Sequence, residues 1–135
     1  MTDQQTGAGR CDCGAVQYRI TGELRGVWNC HCERCRRITG HHMAGTACDA
    51  EHLAVDDDGA LRWYEPAEGV FYGFCGLCGS TLFWRNAANP DHITVTAGSL
   101  DQPTGLQTVA AWYVAEHGDY HERAEVPVSH DTEPG

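Results

Sequence analysis

The chain contains no lysine, so its nine fixed cations are all arginines, and against nineteen carboxylates they leave a net charge of −10. Phosphate backbones are neutralised by a surplus of Lys and Arg, so this balance argues against nucleic-acid binders. Also lacking is any run near the roughly 18 apolar residues that a membrane-spanning helix needs. The first thirty residues show no basic start followed by an apolar stretch and a small-residue cleavage site, which makes a soluble, cytoplasmic protein the expectation. At 135 residues the chain is short for two domains, and no repeat, low-complexity tract or linker divides it.

What the chain has in abundance is cysteine. Seven of its eight fall into three tight groups: Cys11-Asp12-Cys13, Cys30-His31-Cys32-Glu33-Arg34-Cys35 and Cys75-Gly76-Leu77-Cys78. In a reducing compartment clustered thiols bind metal or do chemistry more often than they pair as disulfides. A tetrahedral zinc site saturates at four protein ligands, so seven motif cysteines divide into a closed set of four and an open set of three. Spacing alone does not say which belong together. The economical partition joins the outer doublets, Cys11, Cys13, Cys75 and Cys78, and leaves the triplet Cys30, Cys32 and Cys35 intact. Cys48 belongs to no motif and reads as a small buried hydrophobe.

Strand-period alternation predicts strands over 16–20, 44–48, 53–55, 61–64, 70–74, 80–84 and 93–98, with a last one inside 106–114. Glu33 to Thr39 predicts one or two helical turns ended by Gly40, and Asp49 is placed as the N-cap of a brief turn. Asp56-Asp57-Asp58-Gly59 reads as a solvated acidic turn, because the spaced ligands of a calcium loop do not follow. The fold class is therefore mainly β with one or two short helices. Residues 1–9 are expected to form a flexible N-terminus, 10–120 a zinc-binding domain and 121–135 a polar tail.

Three thiolates donate so much charge that their zinc is a mediocre Lewis acid for water, yet soft enough to accept another sulfur. A zinc-bound thiol is deprotonated near neutral pH. The open triplet thus points to chemistry at a carbon–sulfur bond. Arg34, Arg36 and Arg37 stand beside it, with Arg36 or Arg37 a candidate clamp for a substrate carboxylate and His41 or His42 a candidate proton shuttle. Two other readings stay open. His31, His41 or His42 could close the second site and make both zincs structural; His31-Cys32-Glu33 also matches the H-x-E element of zinc deaminases, but Phe74 stands where a proline precedes their CxxC, and four cysteines would be left idle.

The motifs Cys11-Asp12-Cys13-Gly14-Ala15-Val16, Cys30 through Gly40, Phe74-Cys75-Gly76-Leu77-Cys78-Gly79-Ser80 and Val95-Thr96-Ala97-Gly98-Ser99-Leu100-Asp101 occur in an order that resembles one family. It is that of the glutathione-dependent formaldehyde-activating enzymes, or S-(hydroxymethyl)glutathione synthases, which includes relatives of centromere protein V. The resemblance implies a β-tent fold of small antiparallel sheets with two zinc ions. It implies a structural zinc on Cys11, Cys13, Cys75 and Cys78, and a catalytic zinc on Cys30, Cys32 and Cys35. The activity implied joins glutathione to formaldehyde and is classed as a carbon–sulfur lyase in reverse. The partner expected is a small thiol, glutathione among the candidates, with no nucleic acid or membrane, and a homodimer is compatible with it. A specialised member acting on another metabolite and a non-catalytic zinc-stabilised binding module are the alternatives. His41 and His42 depart from the small, apolar or aromatic residues common in the family at that place.

Overall fold

In Gln17–Thr21 (β2) the side chains alternate between solvent and interior, so that Tyr18 and Ile20 enter the core while Gln17 and Arg19 stay out. That period-2 pattern, repeated along the chain, makes sheets the dominant element. The computed structural model describes residues 4–133. In order they form β1 (Gln5–Arg10), β2, β3 (Val27–Cys30), α1 (Glu33–Thr39), β4 (Met43–Asp49), β5 (Leu53–Asp56), β6 (Leu61–Ala67), β7 (Val70–Cys75), β8 (Thr81–Asn86), β9 (His92–Thr96), β10 (Thr108–Trp112) and β11 (Val128–Ser129). Single 3-10 turns occupy Ala50–His52, Ala97–Ser99 and Val114–Glu116.

Two sheets result. A three-stranded sheet has the order β1-β2-β5, and a larger one the order β11-β10-β3-β4-β9-β8-β7-β6. Every pairing between these strands is antiparallel except those of β10, which runs parallel to both β3 and β11. The main core holds Cys11, Tyr18, Ile20, Cys75, Leu82 and Phe83, all at 2% exposure or less. A smaller cluster surrounds Cys35, Met43 and Tyr72.

The helix begins and ends where its residues dictate. Cys32 caps the N-terminus, its sulfur accepting the Cys35 amide at 3.3 Å, and Glu33 stands in the first turn with Arg36 and Arg37 in the last. Gly40 stops it at φ 81°, donating its N–H to the Arg36 carbonyl at 2.8 Å. Asp49 occupies the N-cap of the Ala50–His52 turn, but its side chain makes no capping bond and instead lies 3.8 Å from His52 and from His92.

Both ends of the described chain are tied to the sheets by backbone hydrogen bonds. The N-terminal stretch expected to be flexible forms β1 from Gln5 onward, laddered on β2, with the Asp101 amide bonded to the Ala8 carbonyl at 2.8 Å. Its glycines are the reason: a Cβ on Gly9 would run into the Tyr18 ring and the Ser99 carbonyl. The polar C-terminal segment likewise returns to the sheet. The His130 amide bonds Ala111 at 2.9 Å, the Val114 amide bonds His130 at 3.0 Å, and the His130 ring stacks on Trp112 at 4.6 Å. Its side chains stay wet while its backbone satisfies the edge of β10. Residues 1–3 and 134–135 lie outside the described range.

Candidate metal centres

Cys11 and Cys13 sit in the turn between β1 and β2, Cys75 ends β7, and Cys78 lies in the turn before β8. The four sulfurs lie within 4.8 Å of one another, with Cys11–Cys13 at 3.6 Å and Cys13–Cys75 at 3.8 Å. All four cysteines are free, at separations far beyond the ~2.05 Å of a disulfide. A tetrahedral ion with metal–sulfur bonds of about 2.3 Å sets its ligands about 3.8 Å apart, so the measured spacing fits.

Backbone amides converge on two of the sulfurs. The Val16 amide points at Cys11 Sγ at 3.3 Å, and the amides of Leu77 and Cys78 point at Cys75 Sγ at 3.4 and 3.5 Å. Gly79, in open space at φ 84°, supplies the left-handed turn that brings the chain back into β8. Ser80 holds the corner together: its hydroxyl accepts the Asp12 amide at 3.0 Å and meets Cys78 Sγ at 3.2 Å. That hydroxyl, with backbone amides behind it, draws the Cys78 thiol down to about 5. Desolvation pushes Cys11 up, but the Val16 amide and the neighbouring thiols outweigh it and the net shift is downward.

Cys30, Cys32 and Cys35 form the second group, their sulfurs also within 4.8 Å, with no fourth His, Cys, Asp or Glu joining them among the described residues. Cys30 ends β3, Cys32 caps α1, and Cys35 is buried in the first helical turn. Hydrogen bonds from Cys30 and Cys35 hold the Cys32 thiol far below its ordinary value, while Cys30 and Cys32 push Cys35 up. Three sulfurs gathered this closely make a donor set that attracts a soft cation.

All three cysteines line a cavity of about 770 Å³. Much of its wall comes from residues that sequence reasoning did not assign. Trp28, Trp84 and Trp112 contribute apolar faces, and the Tyr72 hydroxyl lies 3.3 Å from Cys35 Sγ. Tyr72 arrives from β7, 37 positions away, so no local pattern announces it. Arg25 lies flat on Trp28, 3.4 Å from the ring centroid, and donates to the Gly45 carbonyl at 2.9 Å. Burial lowers its guanidinium to about 10, which still leaves a full charge at neutral pH.

Of the arginines beside the triplet, Arg34 and Arg37 line the cavity and Arg36 does not. Arg37 pairs with Glu33 at 3.6 Å, both side chains well exposed. His41 and His42 also fall outside the cavity lining; His42 instead lines a separate cavity of about 730 Å³ with Arg10, Thr39 and Ser99. Cys48 is buried in the main core, apart from both sulfur groups. No helix among the described residues is long and apolar enough to cross a membrane.

The family model described as "Glutathione-dependent formaldehyde-activating enzyme" matches residues 6–116. Among solved structures, the crystal structure of a Rhodobacter sphaeroides protein is similar at 25% identity and a TM-score of 0.60, covering 70% of this chain and 88% of its own. No curated protein matches the chain.

Proposed function

The chain belongs to the family of glutathione-dependent formaldehyde-activating enzymes, and from that premise we propose that it is a zinc-dependent carbon–sulfur lyase-type enzyme acting on a low-molecular-weight thiol adduct such as S-(hydroxymethyl)glutathione. One observation carries the reading. The triplet of cysteines lacks a fourth protein donor within reach among the described residues and opens on a walled cavity, whereas the other four cysteines complete a set by themselves. Cys11, Cys13, Cys75 and Cys78 would hold a structural zinc, and Cys30, Cys32 and Cys35 a second one. Bound there, zinc supplies a soft Lewis acid that keeps a thiol ionised near neutral pH.

The chain's own residues do the rest. The Tyr72 hydroxyl fixes Cys35 Sγ and so the orientation of the sulfur cluster. The faces of Trp28, Trp84 and Trp112 give the reacting carbon an apolar wall. Arg34 and Arg37 at the cavity wall hold the substrate's carboxylates, and Arg25 contributes a fixed charge deeper in. In the lyase direction the adduct's hydroxyl proton leaves to water and the carbon–sulfur bond breaks. Its electron pair stays on sulfur, giving aldehyde and thiolate; synthesis is the reverse.

Cobalt substitution tests this. Titrating the cobalt-loaded protein with glutathione and other small thiols should alter the sulfur-to-cobalt charge-transfer bands of one site only. No change with any thiol would favour the non-catalytic binding module. Turnover of glutathione with formaldehyde, set against turnover of other thiol–aldehyde pairs, separates the founding activity from a specialised one.

A further inference from the structure

Five of the eight histidines converge on one place, although the sequence scatters them over positions 31, 41, 42, 117 and 121. We propose that His31, His42 and His121 form a third metal site, for a divalent first-row transition ion of the zinc class, back to back with the cysteine triplet. One ring nitrogen from each lies within 4.8 Å of the other two. His31 is buried at 4% exposure, and its ring centroid stands 4.9 Å from His42 and 6.3 Å from His121.

The nitrogens lack the partners that buried imidazoles require. His42 Nδ1 and both ring nitrogens of His121 are shielded from solvent with no hydrogen bond. Native structures rarely leave such atoms unsatisfied, and three in one place mark a donor set built for something else. No ion pair engages any of the three rings among the described residues.

The flanking residues supply the support a metal site needs. His117 Nδ1 lies 2.8 Å from the Val114 carbonyl and so carries the proton; its ring stands 6.4 Å from His31 and 6.1 Å from His121, with Nε2 free to accept. His41 Nδ1 meets the Tyr120 hydroxyl at 2.5 Å, and its ring lies 4.3 Å from His42 and 4.5 Å from His121. Three imidazole donors without thiolate or carboxylate suit a borderline ion at about 2.0–2.1 Å per bond and leave a fourth position for water or His117. Coordination at that length draws the nitrogens to about 3.4 Å from one another, which rotations of the half-buried His42 and His121 side chains supply. His42 also lines the cavity of about 730 Å³, which gives an ion its path in.

Cys30 and Cys32 face the other cavity, while the histidine between them faces this cluster. The two centres are therefore distinct in donor chemistry, and the inference stands whether or not the cysteine triplet turns over a thiol.

The protein, reduced and loaded with excess Zn2+, should retain one equivalent more than His121→Ala and His42→Ala variants after desalting. With Co2+ the same variants should keep the thiolate charge-transfer bands of the cysteine clusters and lose only intensity in the visible ligand-field region. Should either variant fail to fold, the wild type alone suffices: long-range 1H–15N correlations of the imidazoles should shift at His31, His42 and His121 on addition of the last equivalent of Zn2+. Equal zinc content in parent and folded variants, or shifts confined to other histidines such as His52 and His92, would overturn the site. The thiol response of the cobalt bands reports separately on the triplet, so failure of one reading is not failure of the other.

Discussion

The two cysteine clusters use the same side chain for opposite structural ends. Cys11 and Cys13 meet Cys75 and Cys78 across more than sixty positions, so the four-thiol cluster ties the small sheet to the large one. Cys30, Cys32 and Cys35 are gathered by a strand end and a helix cap within six positions, so they hold together with little help from the rest of the fold. A metal that closes a long loop stabilises the folded state by limiting the unfolded one; a metal held by neighbours in sequence does so far less. The first cluster is therefore placed to maintain the architecture, and the second is free to face a cavity.

The sharpest way to break this contrast is a matched pair of substitutions. Cys75→Ser should cost a large part of the total stability, on the order of 5–15 kcal/mol, and appear in circular dichroism as loss of the cooperative melt. Cys32→Ser should keep that melt and reduce carbon–sulfur turnover to background. Equal unfolding in both variants would abolish the division of labour.

A smaller effect isolates the core beside the four-thiol cluster. Burial, only partly offset by the Ser99 hydroxyl at 2.6 Å, raises Tyr18 to about 12. The unfolded tyrosine ionises near 10, so the folded state's advantage is complete below about pH 10 and drains away as pH rises to about 12, by up to ~3 kcal/mol. Denaturant melts of the parent between those limits should lose stability faster than those of Tyr18→Phe. Parallel losses would place the alkaline weakness elsewhere.

The smallest effect probes the cavity rim. Arg37 is exposed and shares its charge with Glu33, so Arg37→Ala should cost about 1 kcal/mol of substrate binding, roughly fivefold in KM. Arg36→Ala should leave KM unchanged. The reverse result would mean that the substrate docks along the far side of α1.

Much of this was legible in the chain. The helix from Glu33 to its Gly40 stop and the CxxC turn between two strands follow from local residue chemistry, the grouping of seven cysteines as four and three follows from counting ligands, and the structure brings those residues together in that way. What escaped was of two kinds. β1 is polar and glycine-rich and β11 is a pair of exposed residues, and their order comes from backbone ladders, which side-chain patterns do not record. Tyr72 and Trp84 reach the cavity because the strand order 3-4-9-8-7 folds distant segments together. His41 and His42 stand in the helix-to-strand loop expected of them, outside the lining of the sulfur cavity and beside a segment around His121 that sequence reasoning had assigned to a tail.

The placing of the indoles gives the protein a built-in optical reporter. Three of its four tryptophans wall the sulfur-lined cavity, whereas Trp63 packs on Phe83 under the guanidinium of Arg85. Intrinsic fluorescence therefore senses chiefly what fills that hollow, and a molecule entering it announces itself by quenching or a shift of emission colour, with no dye attached.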